Sequence, residues 1–257
     1  MKKILLLLML TFFFMTGCTR LGAEKIVIGI DEDFAPISFH DANGELVGFE
    51  IDLAKEAASR MGLKPEFKAI DWDNKREEIT SGKVDLIWNG LDITDARKEY
   101  MIFSKPYMDD RQIVLVKADS TLNFYSADDL KGKIIGTQTG SSSDDYINQD
   151  ENLRRNIKDY KTYKKFSDAV KALKNDELEL ILCDELIARY EINAYPGQFK
   201  IINVRIGSIY EMGIGFAKNN IALRDRVQKV FDEMIADGTA REISLKWFDA
   251  DLIKSIK

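Results

Sequence analysis

At 257 residues, with 45% hydrophobic and 31% charged content, the chain supports one large domain or two smaller ones. A formal net charge of −6 argues against polyanion binding and against adsorption to anionic lipid. With 2 cysteines and 1 histidine, neither a disulfide framework nor a zinc cluster or Ser-His-Asp set can be assembled, so a nucleophilic or metal-dependent enzyme finds little support.

Lys2 and Lys3 precede an apolar run, 4–15, that contains no charge. Such a run falls short of the ~20 residues a spanning helix needs and suits the ~7 to 15 of a signal-peptide core. It ends in Met15-Thr16-Gly17-Cys18, two small residues before a cysteine, which reads as a lipobox. Residues 1–17 are therefore expected to be a lipoprotein signal peptide, with Cys18 taking a diacylglyceryl group and becoming the new amino terminus. Two or more acyl chains anchor stably where one is marginal. Cleavage would remove two lysines and no acid, leaving 35 bases against 43 acids, a net −8. Cys183 then has no disulfide partner and reads as a buried, inert thiol.

Lys25–Ile30 reads as a strand and 48–61 as a helix, with Ile51, Ala54, Ala57, Ala58 and Met61 near helical spacing. Lys64–Ala69 follows as a strand, then a polar helix over 75–81 ended by Gly82, then a strand over 84–88. This alternation predicts a mostly parallel sheet with covering helices. A second series runs through strands at 112–117 and 134–136, a helix over 167–173 and a strand at 179–183, ending near Ile201 and Ile202. An extended stretch, 209–218, and two amphipathic helices, 223–237 and 239–247, close the chain. The expected domains are 24–110 plus 210–257 as one lobe and 111–209 as the other. If the last helices pack on the first lobe, the chain crosses between lobes twice, near 107–113 and 208–213, which makes a hinge.

Four motifs carry the chemistry. In Gly48-Phe49-Glu50-Ile51-Asp52-Leu53, Glu50 and Asp52 suit the positive end of a helix. Trp88-Asn89-Gly90-Leu91-Asp92-Ile93-Thr94-Asp95-Ala96-Arg97 follows a strand. An arginine in a cleft grips a carboxylate by two parallel charge-assisted bonds, whereas one on the surface would merely pair with Asp95 or Glu99. Gly136-Thr137-Gln138-Thr139-Gly140-Ser141-Ser142-Ser143 is a Gly- and Ser/Thr-rich turn opening a helix, suited to an anion but lacking the Gly-Lys-Ser/Thr ending of a nucleotide loop. Leu182-Cys183-Asp184-Glu185 ends a strand, where parallel sheets bind ligands and where an acid also caps helices.

In this order and over essentially the whole chain after its leader, these motifs resemble the polar amino-acid family, family 3, of bacterial extracellular solute-binding proteins. The resemblance implies a periplasmic-binding-protein-like α/β fold: two lobes joined by two crossings, with an L-amino acid in the cleft between them. It implies that Arg97 clamps the α-carboxylate, helped from the other lobe by Ser141, Ser142 and Ser143, while Asn89 and Gly90 bind the amino-acid head and Gln138, in the same turn, is a further ligand-binding residue. Asp184 would take the α-ammonium. Asp92 stands where the family usually has Ser or Thr, so it either strengthens ammonium binding or competes for Arg97. Asp31, Phe34 and Trp72 match positions lining the side-chain pocket, although the aromatics also fit ordinary core.

Two acids for the ammonium leave Asp31 for a second positive charge, and Phe34 and Trp72 would flank an aliphatic stem or guanidinium. A cationic amino acid is therefore expected, with glutamine and cystine as rivals. The resemblance further implies ABC transporter permease subunits as partners, an extracytoplasmic location, a monomer, no cofactor and no catalysis. A carboxylate-based dehydratase and a ligand-sensing receptor domain are the competing classes.

Overall fold

In a computed structural model residues 24–254 are described, so the apolar run 4–15 and Cys18 lie outside the described residues. Lys25–Ile30 is buried on both faces toward its end, and strands pair with it on either side. It sits second in a five-stranded sheet ordered Lys64–Ala69, Lys25–Ile30, Leu86–Ile87, Gly215–Ala217, Met101–Phe103. The first three strands run parallel, whereas Gly215–Ala217 is antiparallel to both neighbours. The second sheet is ordered Asp159–Tyr163, Ile134–Gln138, Leu180–Asp184, Met108–Lys117, Phe199–Met212. There too three strands are parallel, and Met108–Lys117 is antiparallel to both neighbours. The sheets are thus mixed rather than mostly parallel, because the segments that pass from one lobe to the other re-enter each sheet in the opposite direction.

The first lobe's helix, Phe49–Arg60, buries Phe49, Ile51, Leu53, Ala54, Ala57 and Ala58. Each large apolar side chain contributes roughly 1.5–3 kcal/mol when fully buried. Gly48 precedes it at φ +146°, and a Cβ there would lie 2.2 Å from the Ile37 carbonyl oxygen, so only glycine permits this entry. The closing helices, Ile221–Ala236 and Thr239–Phe248, pack on Phe49–Arg60. Phe49 meets Phe248 edge to face at 5.0 Å, and Arg60 donates to Asp237 at 2.6 Å. Early and late segments of the described residues therefore share one sheet and its covering helices.

The two crossings lie side by side: Met108 pairs with Met212, Asp109 with Glu211 and Asp110 with Tyr210. Phe199–Met212 is one long strand whose register shifts between Ile202 and Ile206 and again between Ile206 and Ile209, which bends it as it leaves the second lobe. The reading of 201–202 and 209–218 as separate stretches missed this continuity, since the intervening residues alternate buried and exposed about a bulge. A small three-stranded sheet, Asp33–Phe34, Ser38–His40 and Leu46–Val47, had no clear sequence signal. Among the described residues no helix is long and apolar enough to cross a membrane.

Candidate functional site

Loops after the carboxyl ends of strands from both sheets meet face to face. Asp31 follows Lys25–Ile30, Asn89 and Gly90 follow Leu86–Ile87, and Gln138 and Asp184 end strands of the second sheet. Together with Phe34, Trp72, Asp92, Arg97, Ser141 and Ser142 they line one interlobe cavity of about 10 Å³. That is room for roughly one water, so the lobes stand closed on each other and must part to admit anything larger.

Arg97 lies on the short helix Asp95–Lys98, whose capping Thr94 accepts from the Arg97 backbone N–H at 3.3 Å. Its guanidinium is 3% exposed and donates to the Asp92 carbonyl at 2.9 Å and to the Gly140 carbonyl of the other lobe at 3.4 Å. Its Nε, also buried, has no partner. Of the lining residues Arg97 alone carries positive charge. It does not pair with Asp95, which holds Lys98 at 3.0 Å, and its nearest carboxylate is Asp145 at 4.0 Å.

Polar bonds join the lobes across the cavity. Gln138 donates to Asp31, and Ser142 to Asp92. Ser141 caps the helix Ser142–Gln149 by accepting from the Asp144 N–H at 3.1 Å. Ser143 stands behind the lining; it is buried and donates to Gln112, whose amide donates in turn to Asp184 at 2.6 Å and to Asp110 at 2.7 Å. At the aromatic end Phe34 meets Phe166 of the second lobe edge to face at 6.4 Å.

Five residues complete the site without having been singled out as binding groups in the sequence. Lys75 is buried, donates to the Trp72 carbonyl at 3.1 Å and reaches across to the Gly140 carbonyl at 2.8 Å. Glu50 accepts from the Gly90 N–H at 2.8 Å and from the Tyr107 hydroxyl, fixing the turn that presents Asn89 and Gly90. Ser38 bonds Asn89 and the Asp31 carbonyl. Asp110 and Gln112 come from the crossing strand Met108–Lys117, where a period of two puts them on one face. No alternation in the sequence marks them, since Asp109-Asp110-Arg111-Gln112 is an unbroken polar run and only the burial alternates.

The electrostatics are those of acids held out of water. Burial pushes Asp92 up to about 7, with the Asp184 charge adding to it and Arg97 opposing. Burial likewise raises Asp184, opposed by the hydrogen bond from Gln112 and by Arg97. Asp110 is raised well above the usual carboxylate range by burial, then by Asp184 and Asp92. Asp31 is raised by burial against bonds from the Asp33 N–H and Gln138. Lys75 is pushed down to about 8 by burial and by Arg97. Carboxylate oxygens of Asp92, Asp110 and Asp184 all lie within 4.8 Å of one another, a donor set for a cation. A larger groove of about 650 Å³ runs behind the crossing strands, but its cations Arg111 and Arg189 are both held by Glu185. The cleft between the lobes, with an unpartnered guanidinium Nε facing acids, has the charge pattern that pairs with a zwitterion once the lobes part to admit it.

The family profile of the bacterial extracellular solute-binding proteins, family 3, matches residues 26–250. The chain is 31% identical over 231 residues to the L-cystine-binding protein TcyJ of Escherichia coli strain K12, covering 89% of this chain and 84% of that protein. It is 30% identical over 252 residues to ABC transporter arginine-binding protein 1 of the same strain, covering 96% and 99%. A solved ABC uptake transporter substrate-binding protein from Streptococcus pneumoniae with bound histidine superposes with a TM-score of 0.83 at 33% identity, covering 90% of this chain and 95% of that one. On the profile match and these identities, the chain belongs to the bacterial extracellular solute-binding proteins, family 3.

Proposed function

We propose that this protein is the extracytoplasmic binding component of an ABC transporter and captures a free L-amino acid that carries a second positive charge. The observation that carries the reading is Arg97: a buried guanidinium with an unpartnered Nε, facing acids of both lobes across one cavity. The α-carboxylate takes the guanidinium edge, the α-ammonium takes Asp184 and Asp92, and Asp31 with the flanking Phe34 and Trp72 receives the side chain. Lobe closure is then ligand-dependent, because Arg97 and the acids are fully paired only when a zwitterion lies between them. The proposed hinge is the paired crossing, dividing the chain into 24–110 plus 210–257 and 111–209.

Cystine is the second reading, favoured by the similarity to TcyJ and by its two ammonium groups, one of which would meet Asp31. We place the function as binding rather than catalysis, in line with relatives that are binding proteins. The lipobox further supports anchoring through Cys18 to a membrane lipid layer.

A thermal-shift panel of the common amino acids plus ornithine and cystine tests the ligand class. Stabilisation by arginine, lysine, ornithine or cystine is the expected result; stabilisation by aspartate or glutamate alone would refute the charge assignment. For the anchor, Cys18→Ser should release the protein from the membrane fraction, and an unchanged distribution would refute lipidation there.

A further inference from the structure

We infer that Asp110 is the third carboxylate of the ligand's ammonium subsite, and that an amino acid entering the site drives one proton from this carboxylate cluster into solvent. The inference rests on the amino-acid reading above and deepens it.

The geometry comes first. Three oxygens within 4.8 Å of one another leave a centre at most about 2.8 Å from each, which is N–H···O hydrogen-bond distance. Asp92 Oδ1 and Asp110 Oδ1 are buried and without partners, so two of the three acids have an oxygen to offer. An ammonium has three N–H donors in tetrahedral array and matches three acceptors. Asp110 is held in place by Gln112, whose amide nitrogen donates to it at 2.7 Å and to Asp184 at 2.6 Å. Ser143 orients that amide from the other side.

Charge counting gives the proton. Buried carboxylates this close cannot all ionise unless cations offset them. From helix Asp95–Lys98 only Arg97 faces the cluster, and Asp145 of helix Ser142–Gln149 lies 4.0 Å from the Arg97 guanidinium. From strand Phe199–Met212, Glu211 is bonded to Lys254; from helix Glu185–Ala194, Glu185 holds Arg111 and Arg189; from helix Phe166–Lys174, Lys171 holds Asp168. Lys75, on the far side of Arg97, donates its ammonium hydrogens to the Trp72 and Gly140 carbonyls, and Glu50 adds a further acid near Asp184; among the described residues no Lys or Arg pairs with Asp92, Asp110 or Asp184. The carboxylate oxygens of these three acids crowd within 4.8 Å with no such ion pair, so at least one of the three holds a proton before a ligand enters. The zwitterion adds no net charge, but it sets its ammonium among the three oxygens and its carboxylate farther off on Arg97, so the nearer positive charge favours the ionised acids: one carboxyl O–H breaks and its proton passes to buffer while all three groups become acceptors.

The test is calorimetry of the mature protein with L-arginine, or with L-histidine or L-cystine if those are the amino acids bound, in phosphate and in Tris at pH 7. The two buffers differ in ionisation enthalpy, so the difference in heat counts protons. About one proton released per ligand is expected, with affinity rising about tenfold from pH 6 to pH 7. Asp110→Asn should bind at least tenfold more weakly and release no proton, and Asp110→Glu should restore part of both, with circular dichroism reporting the fold. Binding by the unaltered protein with no proton released overturns the inference and leaves the amino-acid reading standing, as does an Asp110→Asn variant with unaltered affinity and proton count. Binding of no amino acid at all overturns both.

Discussion

Replacing Arg97 by alanine removes the single positive charge that lines the cavity. The side chain is 3% exposed, so an incoming carboxylate that no longer meets it is buried among Asp92, Asp184 and Asp31 with neither water nor a cation. Truncating one partner of such a buried, hydrogen-bonded charge pair costs about 2 to 5 kcal/mol. At roughly 1.4 kcal/mol per tenfold, that is a loss of ~30-fold to several thousandfold in affinity. The fold should survive, because Arg97 caps no long helix and its bonds go to two backbone carbonyls, those of Asp92 and Gly140. Arg97→Lys keeps the charge but not the planar fork, and should fall between the two. Calorimetric titration beside circular dichroism decides the matter. Unchanged affinity in a folded Arg97→Ala protein would refute the carboxylate assignment.

Lys75→Met keeps side-chain length but cannot donate to the Gly140 carbonyl across the cleft. It should weaken ligand affinity about tenfold, since a hydrogen bond from a charged donor contributes ~1.5 to 3 kcal/mol to the closed state. It should also enlarge the radius of gyration measured by small-angle scattering; an unaltered radius and affinity would show that this bond does not hold the lobes together. Glu50 has a pKa of about 7 in the folded chain, raised by burial against bonds from Tyr107 and the Gly90 N–H, compared with about 4.3 in an unfolded one. The folded state therefore binds its proton more tightly, so Glu50's contribution to stability is complete below about pH 4 and is lost as the pH rises through about 7. Melting of Glu50→Gln against the unaltered protein should show the variant gaining relative stability from pH 5 to pH 8, and a constant difference would contradict the assignment.

The lining of the cavity was legible wherever function sits in contiguous runs. Asn89, Gly90, Asp92 and Arg97 follow one strand within nine residues, and Gln138, Ser141 and Ser142 follow another, so a local pattern identifies each set. Asp110 and Gln112 were not legible because their partners lie far along the chain: Asp184 and Ser143 reach them only when the crossing strand pairs with Leu180–Asp184. Glu50 was read as a helix-start acid, and the sequence does not show that Tyr107 and Gly90 close over it. Ser143 looked equivalent to its two neighbours, yet a helix turns successive residues by about 100°, which aims it at Gln112 rather than into the cavity. The same limit affected the fold. The elements that were read lie within a few residues of the observed ones, whereas helix Glu185–Ala194 and strand Asp159–Tyr163 were not anticipated, and strand direction depends on which segments cross between lobes, which no local pattern records.

The central claim, that both ends of a free amino-acid head are gripped between the lobes, is tested most directly by calorimetric titration with three compounds. These are L-arginine, its decarboxylated amine and Nα-acetyl-L-arginine, or the same three derivatives of whichever amino acid the panel selects. Binding by the intact amino acid alone is predicted, because Arg97 needs the carboxylate and the acids need the ammonium. Comparable binding by the amine or by the acetylated form would contradict the account.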